Sequence, residues 1–102
     1  MSGATSFLEV LGDSPTNKVL DFLIENDRTS WSMNEIRDNA NVGYSTLKLI
    51  LPIMLKNDLI EVDKKIGKIK LYVIKKDGKI VKKIYELYNE INTLEINKLI
   101  SQ

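Results

Sequence analysis

The sequence of 102 residues contains neither cysteine nor histidine. Those two absences exclude disulfides, thiol nucleophiles, Cys or His metal sites and a Ser-His-Asp triad before any motif is sought. Carboxylates, lysines and hydroxyls are what is left for catalysis, and no pair of carboxylates is placed as a glycosidase or a metal hydrolase would need. An enzyme is therefore not expected, and neither is a cofactor or a metal. Lack of cysteine also fits a reducing compartment. Apolar runs are short: none approaches about 18 residues, and Met1 to Leu11 carries Glu9 without a basic start, so no membrane span and no signal peptide is expected. A cytoplasmic location follows as an expectation. With two prolines and five glycines, no linker, repeat or low-complexity segment divides the chain. One domain over residues 1–102 is expected, with a body at 14–75 and a terminal helix at 76–100.

What is present is 43% hydrophobic and 28% charged, the composition of a globular chain with one core. At this length most apolar side chains must serve packing, and little is left to wall a roomy cavity. The net charge of +1 is unevenly spread. Met1 to Asp63 carries five basic against ten acidic side chains; Lys64 to Lys83 carries nine lysines against Asp77 alone; the remainder has Lys98 against Glu86, Glu90 and Glu95. A segment this basic in an otherwise acidic chain is either a solvated lysine face or the footprint of a polyanion partner.

Local signals order the elements. Ser14-Pro15 is a hydroxyl cap followed by proline at the first helical position, and Val19, Leu20, Leu23 and Ile24 then form one stripe ending near Asn26. Upstream, Phe7, Leu8, Val10 and Leu11 suggest a short turn of helix closed by Gly12 and folded back on the body. Ser32-Met33-Asn34-Glu35 is a capping box, predicting a helix from Met33 to about Asn39, with Met33 and Ile36 inward. Asn41-Val42-Gly43 suits a tight turn, and a third helix is predicted from Tyr44 to Asn57. On it Leu47, Ile50, Leu51 and Met54 share one face, whereas Ser45, Lys48, Leu49, Pro52 and Lys56 point away; Pro52 should bend the helix. From Leu59 the period becomes two. Ile60 and Val62, then Ile69, Leu71 and Val73, are read as the buried face of a hairpin turning at Ile66-Gly67-Lys68. Beyond Asp77-Gly78, Ile80, Ile84, Leu87, Ile91 and Leu94 keep a heptad spacing along a last helix.

The fold class read from this order is mostly α with a small antiparallel β-hairpin wing, a helix-turn-helix extended by a long C-terminal helix. At Ser32-Met33-Asn34-Glu35-Ile36, Val42-Gly43-Tyr44-Ser45-Thr46-Leu47, Leu51-Pro52-Ile53-Met54, Leu59-Ile60-Glu61-Val62, Lys70-Leu71-Tyr72-Val73-Ile74 and Asp77-Gly78-Lys79, the sequence resembles the winged helix-turn-helix transcription regulators. The likeness is to the small MarR-, PadR- and ArsR-like types and covers roughly residues 14 to 90. It implies a double-stranded DNA-binding regulator. In that family the helix starting here at Tyr44 enters the major groove, so Tyr44, Ser45, Thr46 and Lys48 would lie at bases, with Ser45 and Lys48 facing the groove. Ser32 and the N–H groups opening its helix would seat a phosphate. Lys64, Lys65, Lys68 and Lys70 would be wing contacts to the backbone.

Two features carry alternatives. Leu49, Pro52 and Ile53 stand where the family places polar base-reading groups; they touch thymine methyl groups, or they are covered by the N-terminal segment, a second subunit or a protein partner. The second of these readings makes the chain a protein-interaction module of a transcription, replication or DNA-segregation complex. The seam of Ile80, Ile84, Leu87, Ile91 and Leu94 either packs on this chain's own first helix or pairs with a two-fold mate, and the homodimer is the favoured reading. Trp31 is expected as a core anchor, and Tyr85 and Tyr88 with Val81 as packing against the body.

Overall fold

Hydroxyl caps open three of the helices in the computed structural model, which describes residues 5–100; residues 1–4 and 101–102 of the expected domain lie outside the described residues. Thr5 Oγ1 accepts the Leu8 N–H at 3.2 Å and opens α1 (Ser6–Leu11). Ser14 Oγ accepts the Asn17 N–H and opens α2 (Pro15–Glu25). Ser32 and Glu35 form the expected reciprocal capping box at α3 (Met33–Ala40). That helix ends on Asn41 at φ 58°, a left-handed position that asparagine tolerates. Val42 and Gly43 complete the turn into α4 (Tyr44–Lys56), which continues unbroken through an exposed Pro52.

The hairpin and the last helix follow as β1 (Ile60–Ile66), β2 (Ile69–Ile74) and α5 (Lys79–Ile100). The class is therefore mostly helical, a helix-turn-helix with a β-hairpin wing and a long C-terminal helix. Gly78 makes the entry to α5 possible by its lack of a side chain: a Cβ there would sit 2.7 Å from the Asp58 carbonyl oxygen. One core serves all elements. Val19, Leu23, Ile36, Leu47, Leu51, Met54, Ile60, Ile74 and Val81 are all but sealed from solvent, each burial stabilising the fold by about 1.5–3 kcal/mol before entropy is charged against it.

Two expectations are corrected here. The buried face of β2 is the opposite of the one expected: Tyr72 and Ile74 are buried, while Ile69 is 57% exposed and Leu71 and Val73 are only half-buried. Parity is set from outside the strand. Ile74 pairs with Ile60 in the core, and Tyr72 exchanges two backbone hydrogen bonds with Trp31, at 2.7 and 2.8 Å. Trp31 is thus half-buried as a strand partner that also lays its ring edge-on against Phe22, 5.0 Å between centroids.

The α5 seam also divides. Ile91 is buried and Ile84 packs partly on the same core, so these two belong to the chain's own interior and not to a dimer face. The reason is α1, which lies on α5 with Phe7 buried 5.2 Å from the Tyr88 ring. Ile80, Leu87 and Leu94 remain 55%, 41% and 51% exposed. From Asn92 onward no residue of α5 is buried, and Leu94, Ile96, Leu99 and Ile100 continue into solvent.

The α1–α2–α5 junction holds the one buried charged side chain among the described residues, Asp21. The Thr5 and Tyr88 hydroxyls donate to Asp21 Oδ1 at 3.1 and 3.2 Å, and Tyr88 also faces the Glu25 carboxylate. Burial pushes the Asp21 carboxyl above its usual range, and burial together with the Asp21 charge does the same to Glu25. A carboxyl with a raised folded-state pKa holds its proton more tightly folded than unfolded. Stability should thus fall as pH rises from the ordinary carboxylate range through the raised values, and the penalty is complete above them. Asp21→Asn, which keeps an acceptor and removes the charge, should raise the urea midpoint at pH 7 and leave it nearly unchanged at pH 4. A midpoint that drops equally at both pH values would contradict this account.

Candidate nucleic-acid interface

The turn Asn41–Gly43 holds α3 and α4 so that the start of each opens toward the wing. Ser32, Met33, Asn34 and Tyr44 line one wall of a cleft of about 320 Å³, and Lys68, Ile69, Lys70 and Tyr72 line the other. Burial pushes the Tyr72 phenol up, so it adds no negative charge to that cleft. Ser32, Tyr44, Lys68 and Lys70 are thereby brought together from segments 12 to 38 residues apart in sequence.

Outside the cleft, Ser45, Lys48, Leu49, Pro52, Ile53 and Lys56 form the exposed face of α4. Lys48 Nζ lies 5.8 Å from the centre of the Tyr44 ring, so its cation and that ring occupy one surface. Leu49 is 71% exposed and Ile53 57%, an apolar strip beside the lysine. Thr46 is half-buried and less available than expected from sequence. The expected phosphate seat at α3 is partly filled from within: Ser32 N–H donates to Glu35 Oε1 at 2.9 Å and Glu35 N–H to Ser32 Oγ at 3.2 Å. The N–H groups of Met33 and Asn34, next in the first turn, are the donors left for a ligand. Asn34 also lines the cleft with an exposed side chain, and sequence reading passed over it because the capping box draws attention to the two residues flanking it.

The wing itself turns on Gly67 at φ 62°, first of the two central residues, the place where a II′ hairpin turn needs glycine. Between Val62 and Lys64 the pairing shifts register, leaving Asp63 as the extra residue of a bulge. Beyond it Lys65 pairs with Lys70 on the face of Tyr72, while Lys64 pairs with Leu71 and Ile66 with Ile69 on the other face. Neither Lys64 nor Lys65 is among the residues lining the cleft.

Charge sorts along the hairpin. Among the described residues Lys64, Lys65, Lys68 and Lys70 are exposed and enter no ion pair, whereas Lys75 lies 3.8 Å from Glu61 and 3.6 Å from Asp77, and Lys76 lies 3.6 Å from Asp27. The excess of positive charge is thus concentrated at the tip, and the base is neutralised. Among the described residues no helix is long and apolar enough to cross a membrane, and no group of three or more acidic side chains could hold a metal ion. No family model matches the sequence, and neither a curated protein nor a solved structure shows significant similarity to it.

Proposed function

We propose that the protein is a double-stranded DNA-binding transcription regulator acting as a homodimer in the compartment that holds the DNA, the cytoplasm of a cell without a nucleus. In this reading α4 enters the major groove with Ser45 and Lys48 at the bases, and the wing lysines lie on the adjacent backbone. One observation carries it: Tyr44, the first residue of α4, and two of the wing's unpaired lysines, Lys68 and Lys70, line the same cleft. A cationic loop turned away from the helix could not bind the same duplex. Leu49 and Ile53 would then meet thymine methyl groups.

Ile80, Leu87 and Leu94 are the dimer contacts of this proposal, extended by Ile96 and Leu99 on the part of α5 that runs past the body. At about 1.5 Å per residue the 22-residue helix is about 33 Å long, enough to pair beyond the core it caps. Replacing Leu87 and Leu94 with Glu should halve the mass seen by sedimentation equilibrium without unfolding the chain, since both side chains are exposed in one protomer. A native chain that is already monomeric at tens of micromolar would remove the dimer.

Selection of bound fragments from random duplex DNA at 50 and 200 mM salt tests the whole reading. Enrichment of a palindrome whose halves lie about 34 Å apart is expected. The exposed Leu49–Ile53 strip supports a second reading, a protein-interaction module using that face of α4. Absence of duplex binding at 50 mM salt, with partner capture lost on Leu49→Ser/Ile53→Ser, would favour the module over the regulator.

A further inference from the structure

The tip of the wing exposes two isoleucines that contribute nothing to the core. Ile66 and Ile69 face each other across the strands on either side of Gly67-Lys68 and are 62% and 57% exposed. Every residue from Glu61 to Lys70 is exposed, so the ribbon projects from the body. The bulge at Asp63 sorts the tip into two faces, with Ile66, Ile69 and Lys64 on one and Lys65 and Lys70 on the other, the face of Tyr72. Without the bulge, Lys64 and Ile66 would change faces with Lys65, and the two isoleucines could not pair.

We infer that Ile66 and Ile69 form a wedge that inserts at a base step from the minor groove, partly unstacking it and bending the duplex. The inference rests on the DNA-binding reading above and adds what the wing does there. Four lysines without carboxylate partners surround the pair, so the phosphates flanking a groove would draw in the same tip that presents the apolar side chains. Flexible pyrimidine–purine steps, TA or CA/TG, are the sites such a wedge would favour. An anionic bilayer offers similar chemistry to an apolar, cationic tip. Duplex DNA is favoured because Lys68 and Lys70 line a concave cleft with Ser32 and Tyr44, which a ridge of phosphates can enter and a flat bilayer cannot.

Ring closure tests the wedge on a random-sequence duplex of about 100 bp, shorter than the persistence length of about 150 bp and therefore slow to circularise unaided. The full chain should speed ligase-catalysed closure by about tenfold or more. At protein concentrations that give equal duplex occupancy in a mobility shift at the same salt, an Ile66→Ala/Ile69→Ala variant should leave closure at the rate of bare DNA. Binding by the native chain without faster closure overturns the wedge and leaves the DNA-binding reading standing. Equal acceleration by the variant also overturns it. No binding at 50 mM salt overturns both readings, and co-sedimentation with phosphatidylserine vesicles that the variant abolishes, without faster closure, assigns the tip to a lipid surface instead.

Discussion

Alanine in place of Lys64, Lys65, Lys68 and Lys70 is expected to weaken binding to every duplex by a similar factor and to flatten its salt dependence. Each phosphate contact contributes about 0.9 to the slope of log affinity against log salt, so four lost contacts lower it by about 3–4 per protomer and about twice that in a dimer. Over a fourfold rise in salt, one protomer's share alone is roughly a hundredfold in affinity. All four side chains are exposed and unpaired, so the fold should survive, and circular dichroism melts would check it. Lys75 and Lys76 provide the internal control. Their charges are already met by Glu61, Asp77 and Asp27, so alanine there should change the slope much less. Fluorescence anisotropy across a salt series distinguishes the two sets, and equal slopes for the quadruple variant and the native chain would take the wing out of the interface.

Leu47→Ala should cost about 3–5 kcal/mol of stability, whereas Leu49→Ala should stay within about 0.5 kcal/mol of the native chain. The two leucines lie on one helix two residues apart. Leu47 is sealed in the core and Leu49 is 71% exposed, so the first change leaves a cavity under the proposed groove-facing helix and the second removes a side chain already in water. Against a total of about 5–15 kcal/mol for a domain, the first loss is a large fraction. Urea titrations with a two-state fit would measure both, and a Leu49→Ala cost near that of Leu47→Ala at high protein concentration would mean that α4 is covered in an assembly rather than free to enter a groove.

Local chemistry was enough to locate most elements from sequence. A cap acts within four residues, so Ser14-Pro15 and the Ser32–Glu35 box announce their helices wherever they are placed, and Gly67 announces its turn because few other residues take a positive φ at low cost. Strand parity was different. Five of the six residues of Ile69–Ile74 are apolar or aromatic, so either face could have been the buried one, and the choice fell to Trp31 and Ile60, distant partners that hold Tyr72 and Ile74 inward. In α5 a single apolar seam hid two roles. Ile84 and Ile91 turn toward the core with Val81 and Tyr88, and Ile80, Leu87 and Leu94 sit off that face because at about 100° per residue they lie roughly 40–60° further round the helix.

The sequence by itself determined which segments are helix, turn and hairpin, and where the lysines fall, because those depend on neighbours a few bonds away. The tertiary structure alone decided that Ser32, Tyr44, Lys68 and Lys70 share a cleft and that Ile66 and Ile69 face each other, exposed, at the tip of the wing. The first follows from the packing of α3 and α4 against a hairpin pinned at Trp31–Tyr72, and the second from one unpaired residue at Asp63 that reverses the faces of everything beyond it.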